Sequence, residues 1–175
     1  YFGFAFDRDA ASTALDKACG ELGEGVFRMR FALKQDGAMS IHAAPLAALD
    51  EPVKLLLAPD ATHSDDLFLR HKTSVRSRYD AAWREAEALG AFDTLFFNER
   101  GELTEGGRTN VFVKLDGHWY TPPLSSGALP GVMRSVLLAD PAWDATERVI
   151  TREMLDGAEE IMVCNALRGP LRAVR

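Results

Sequence analysis

The chain has 175 residues, is 47% hydrophobic and 26% charged, and carries a formal net charge of −6 with acids and bases interspersed. That supports one core or two small ones, and it excludes a basic stripe for nucleic acid and a like-charge tail. Cys19 and Cys164 are the only cysteines and no apolar run approaches the roughly 18–20 residues of a bilayer span, so no disulfide framework or CxxC metal pair is built in, and a reducing cytoplasm is expected.

The first residues, YFGFAF, place four aromatics before any charge and lack a methionine. They look like the middle of a fold, and further residues are expected upstream. Residues 9–22 carry Ala14, Leu15, Ala18 and Leu22 at helical spacing, with Asp9 or Ser12 as cap. Residues 26–33 alternate, with Phe27, Met29, Phe31 and Leu33 on one face of a half-buried strand. A turn at Gln35-Asp36-Gly37 leads to a partner strand over 38–43. A third, more buried strand covers 53–58. The polar run PDATHSDD at 59–66 marks a linker, so the chain divides into a small domain over 1–60, a linker over 61–71 and a larger domain over 72–175.

The larger domain opens with a helix over 74–89, stopped by Gly90. A short buried strand at 94–97 turns through Asn98–Gly101 into ELTEGGRTN. Strands at 110–115 and 117–121 meet at Asp116-Gly117, a hairpin signal. TPPLSSGALP forms a loop, then a helix covers 131–138 and a strand 146–150. Thr151 caps a short helix to Leu155, and EIMVC at 160–164 is a buried strand ending in the turn Asn165–Gly169. This order is mixed α and β with several hairpins, so the sheets are not purely parallel.

Several residues stand where chemistry is possible. Lys72 lies between linker and helix, with Arg76 and Tyr79 at i+4 and i+7. It reads either as a solvated lysine or as an amine tuned by cations on a shared helix face. Glu105 is either a turn carboxylate or one brought close to a flat ligand by the absence of side chains at Gly106 and Gly107. Arg108 is a surface charge or an anion contact, and Asn110 satisfies backbone at a strand start or serves the same site. The N–H groups opening the helix at Gly131-Val132-Met133 suit a phosphate. Cys164-Asn165-Ala166-Leu167 ends a strand in what is either a plain loop or a second N–H cluster. His42, His63, His71 and His118 have no metal-like spacing.

Taken together, Glu105-Gly-Gly-Arg-Thr-Asn110-Val-Phe112, Thr121 and Leu129-Pro-Gly131-Val132-Met-Arg134, with a lysine 33 residues before the glutamate, resemble the class IV pyridoxal-phosphate aminotransferase signature. Trp119 departs from it, standing where the family has an aliphatic residue or Phe. Within that family the chain most resembles aminodeoxychorismate lyase, as found in the C-terminal part of fused aminodeoxychorismate synthase–lyase chains. Lys72-x-x-x-Arg76, TPPLSSGALPGVMR and CNALRG carry this likeness.

The resemblance implies a D-amino-acid-aminotransferase-like two-domain fold with an incomplete small domain and a cofactor in the cleft between domains. It implies pyridoxal 5′-phosphate joined to Lys72 as an imine, with Glu105 on the pyridine nitrogen. Val132 and Met133 would hold the phosphate, supported by Asn165 and Ala166. Arg76, Arg108 and Arg168 become candidates for substrate carboxylates. The implied reaction converts 4-amino-4-deoxychorismate to 4-aminobenzoate and pyruvate, in a homodimer fused to or working with aminodeoxychorismate synthase. A D- or branched-chain transaminase and a cofactor-free interaction domain are the rival readings. Family members carry an upstream phosphate-binding arginine that this sequence does not contain.

Overall fold

The computed structural model describes residues 1–175 and divides into two compact units, Tyr1–Leu49 and Asp50–Arg175. In the first, helix α1 (Arg8–Gly20) precedes a two-stranded antiparallel hairpin of β1 (Phe27–Leu33) and β2 (Met39–Pro45). Asp7, rather than Asp9 or Ser12, caps α1, its carboxylate accepting from Ala10 N at 2.9 Å. The helix therefore starts before the apolar positions that signalled it. The Asp36-Gly37 turn forms as its residue types require: Gly37 has φ +85 and Asp36 accepts from Ala38 N.

The second unit is built on eight strands. These are β3 (Val53–Leu57), β4 (Asp93–Phe97), β5 (Leu103–Gly106), β6 (Asn110–Leu115), β7 (His118–Thr121), β8 (Ala145–Glu147), β9 (Glu160–Asn165) and β10 (Gly169–Val174). Their spatial order is β5-β4-β3-β10-β9-β6-β7-β8. The β3–β10, β3–β4 and β7–β8 pairs are parallel and the others antiparallel, a mixed α/β arrangement. The sheet curls on itself. Leu103 N in the edge strand β5 donates to Ile150 O, just beyond the opposite edge strand β8, at 2.7 Å.

Strand alternation divides the apolar residues between the two faces. Val53, Leu55, Leu95, Leu103, Val111, Val113, Ile150, Val163 and Leu171 form one core. The alternate residues Phe112, Met162 and Cys164 form a second with Leu137 of helix α3 (Val132–Ala139). Helix α2 (Ser77–Ala88) adjoins β4, and the short α4 (Arg152–Asp156) is capped by Thr151, whose hydroxyl accepts from Met154 N at 3.3 Å.

Two boundaries differ from the sequence reading. Strand β3 pairs with β10 and β4, so it belongs to the larger unit, and the division falls at Leu49–Asp50 instead of at the polar run 59–66. That run is instead tied to the larger unit: Thr62 N donates to Phe97 O and Ser64 to Glu99. No strand is expected from the sequence over 169–174, yet β10 lies there between β3 and β9.

Candidate functional site

Glu105 is the penultimate residue of β5 and is only 6% exposed. Three donors hold its carboxylate. Tyr79 Oη donates to Oε1 at 2.9 Å, Leu129 N donates to Oε2 at 2.9 Å, and Asn110 Nδ2 reaches Oε2 at 3.4 Å. Burial raises its pKa to about 7, against the lowering effect of the Leu129 and Tyr79 bonds; the Lys72 charge lowers it slightly. A carboxyl poised there can share a proton with a basic ring nitrogen at neutral pH.

Tyr79 comes from α2, where it meets Phe96 edge-on with centroids 5.0 Å apart. Burial and the neighbouring Glu105 raise its phenol pKa far above the ordinary range, so it stays a donor. The helix starts at Ser77, with Arg76 as its N-cap, later than the 74 expected. Lys72 therefore lies in irregular chain ahead of the helix, exposed, and does not share a helical face with Arg76 and Tyr79. Its link to the site is its charge acting on Glu105.

The glycine pair next to Glu105 has a different cause from the one expected. A β-carbon on Gly106 would lie 2.4 Å from both Asp93 Oδ2 and Thr109 Oγ1, and one on Gly107 would lie 3.1 Å from Asp93 Oδ1. The space is thus taken by a buried carboxylate and not kept for a ligand ring. Asp93 is fully buried and accepts from Thr109 Oγ1 at 2.7 Å, Thr94 N at 2.9 Å and Arg108 N at 3.2 Å. Burial raises its pKa, outweighing those donors. Arg76 fixes the same turn from outside, with Nη2 on Gly107 O and Nε on Asp80, each at 2.8 Å. Neither Asp93 nor the Leu129 N–H was singled out from sequence. The available signal for Asp93 was a carboxylate opening the apolar run DTLFF.

The other predicted residues fall around this turn. Arg108 spends its guanidinium on the Phe92 carbonyl and lies over the rings of Phe92 (4.2 Å to the centroid) and Trp83 (5.7 Å). Asn165 Nδ2 donates to Arg108 O at 3.2 Å, while its Oδ1 accepts from Leu167 N and Arg168 N. The 165–168 turn is thereby tied to the β5–β6 turn, with Ala166 exposed on it; burial lowers the Arg108 pKa, and the Arg168 charge adds to that lowering. Gly131 is the N-cap of α3 and gives it no side-chain cap, and Val132 is exposed at the first helical position beside half-buried Met133. An uncapped helix start leaves N–H groups available for an anion.

The family model for class IV amino-transferases matches residues 1–175. The chain belongs to the class IV aminotransferase family. Members of this family are pyridoxal-phosphate-dependent enzymes, lyases or aminotransferases. Among similar proteins, a provisionally named aminodeoxychorismate lyase of Schizosaccharomyces pombe is 27% identical over 152 residues, covering 84% of this chain and 66% of that protein. A crystal structure from Mesorhizobium loti, provisionally called an amino-acid aminotransferase, superposes with TM-score 0.89 at 37% identity, covering 98% of this chain and 83% of that one. A provisionally named 4-amino-4-deoxychorismate lyase structure from Legionella pneumophila gives TM-score 0.73 at 25% identity, covering 77% and 52%. The chain thus spans about two thirds of the fission-yeast relative and half of the Legionella one. No helix is long and apolar enough to cross a membrane.

Proposed function

We propose that this chain is the pyridoxal-phosphate-binding part of an aminodeoxychorismate lyase, converting 4-amino-4-deoxychorismate to 4-aminobenzoate and pyruvate. The observation that carries the reading is the Glu105 carboxyl, buried, triply hydrogen-bonded and raised by burial to near neutrality. Such a group fits a protonated pyridine nitrogen, and the uncapped start of α3 fits a phosphate.

In this reading the Lys72 amine anchors the cofactor, and Glu105 keeps a proton on its ring nitrogen. The Val132 and Met133 N–H groups take its phosphate, supported from the turn at Asn165 and Ala166. Bound there, the cofactor supplies an electron sink for the pair left when the substrate loses a proton. Lys72 Nζ, no longer holding the cofactor once the substrate is in place, would take that proton from the substrate ring. The C–O bond to the enolpyruvyl group breaks, the substrate ring becomes aromatic, and the departing enolpyruvate takes up a proton to become pyruvate. Arg76, Arg108 and Arg168 are the carboxylate candidates; Arg108 also donates to Phe92 O and Arg76 to Gly107 O and Asp80. A homodimer, acting with or fused to a synthase, completes the proposal.

An aminotransferase is the second reading, supported by the 37% identity to the Mesorhizobium protein. Product analysis separates the two. 4-Aminobenzoate and pyruvate formed without any added 2-oxo acid support the lyase. Amino-group transfer that depends on a 2-oxo acid, with no 4-aminobenzoate, refutes it. A visible absorbance band with pyridoxal phosphate, absent in Lys72→Ala, tests the anchor; identical spectra for the two proteins would refute the site.

A further inference from the structure

The two ends of the candidate site meet at one buried amide. Asn110 opens β6 and is 6% exposed. Its Nδ2 donates to Leu129 O at 2.9 Å and to Glu105 Oε2 at 3.4 Å. A carbonyl only accepts, so the Leu129 bond fixes which way the amide faces. Its Oδ1 then lies over Gly131, where a β-carbon would sit 2.0 Å from that oxygen. Gly131 has φ −68, a conformation open to any residue, so its backbone does not demand glycine. The amide does.

We infer that Asn110 is a positioning residue that sets the first turn of α3 at a fixed distance from the Glu105 carboxylate, and that Gly131 is bare so that the amide can reach both. The inference rests on the pyridoxal-phosphate reading, because it concerns a ligand gripped at a ring nitrogen and at a phosphate. The covalent frame of such a ligand fixes the separation of its two ends. Loosening the separation therefore weakens a phosphorylated ligand more than one without phosphate.

The test is a double-mutant cycle of Asn110→Ala, Gly131→Ala and the pair, in the full chain. Thermal melting without ligand is read alongside titrations with pyridoxal 5′-phosphate and with pyridoxal. Gly131→Ala is expected to lower Tm in the wild-type background and to cost little in Asn110→Ala, where the next nearest atom outside the amide is Arg134 Cβ at 3.8 Å. Each single variant is expected to lose about tenfold or more of the preference for pyridoxal 5′-phosphate over pyridoxal. Additive melting effects would overturn the link between amide and glycine. Coupled melting with an unchanged preference would overturn the positioning role. A wild type that binds neither compound overturns the cofactor reading along with it, and the wild-type titration alone identifies that case.

Discussion

Replacing Glu105 with glutamine should make the ligand-free chain more stable at alkaline pH while removing the group its proposed chemistry needs. Glutamine keeps the length of the side chain. Its oxygen can accept from Leu129 N and Asn110 Nδ2, and its NH₂ can donate to the Tyr79 hydroxyl, which turns to accept. The magnitude follows from the raised pKa. Glu105 is lifted from an ordinary 4.5 to about 7, and at about 1.4 kcal/mol per pH unit the difference is worth about 3 kcal/mol. The sign follows from proton binding. The folded chain holds a proton that the unfolded chain releases between pH 4.5 and about 7. This contribution to stability is complete below 4.5, falls as pH rises through the window, and is gone above it. Glutamine does not titrate, so the difference between variant and wild type isolates Glu105. Melting curves at pH 5 should lie close together, whereas at pH 8.5 the variant should melt about 10 °C higher, at roughly 3 °C per kcal/mol for a chain this size. A Tm difference that stays constant across pH, or a wild type that is the more stable at pH 8.5, would refute the burial argument.

Gly106→Ala should lower stability by about 1–3 kcal/mol by forcing a β-carbon against Asp93 and Thr109. Gly20→Ala, at the end of α1 with nothing within 4 Å, is the clash-free control and should not lower stability in the same melting assay. Tyr79→Phe keeps the edge-on contact with Phe96 but deletes the bond that lowers the Glu105 pKa. The pH window of wild-type stability loss should then extend to higher pH, measured as Tm against pH; an unchanged window would show that the hydroxyl does not act on the carboxyl.

The site was legible wherever its residues sat at a break in pattern. Glu105, Asn110 and Gly131 interrupt apolar periodicity with groups that strands and helices do not need there, and the structure brings all three together. Asp93 was not legible, because a carboxylate before TLFF looks like a turn residue. Its burial comes from the turn over 106–109 folding back across it, a relation fixed only in three dimensions. Strand β10 failed for a related reason. GPLRAV is short and contains a proline, and its alternating burial of Leu171 and Ala173 has meaning only once β3 and β9 stand on either side. The expected linker failed because a polar composition signals exposure but not independence, and these residues bond to β4 and the turn after it.

The place of β10 also governs how the sheet can assemble. Strands β3, β4 and β5 form one ribbon and β6 to β9 another, and β10 is the strand bonded to both. The two ribbons are joined in sequence by the short turn between β5 and β6, but their pairing across β3 and β9 has to await β10, which follows the other seven strands in the chain. Until β10 docks, β3 and β9 each present an open edge to any neighbouring chain, the condition under which β-proteins associate wrongly. Loss of residues 169–174 would thus leave two half-sheets with adhesive edges, and the damage would show first as aggregation during synthesis.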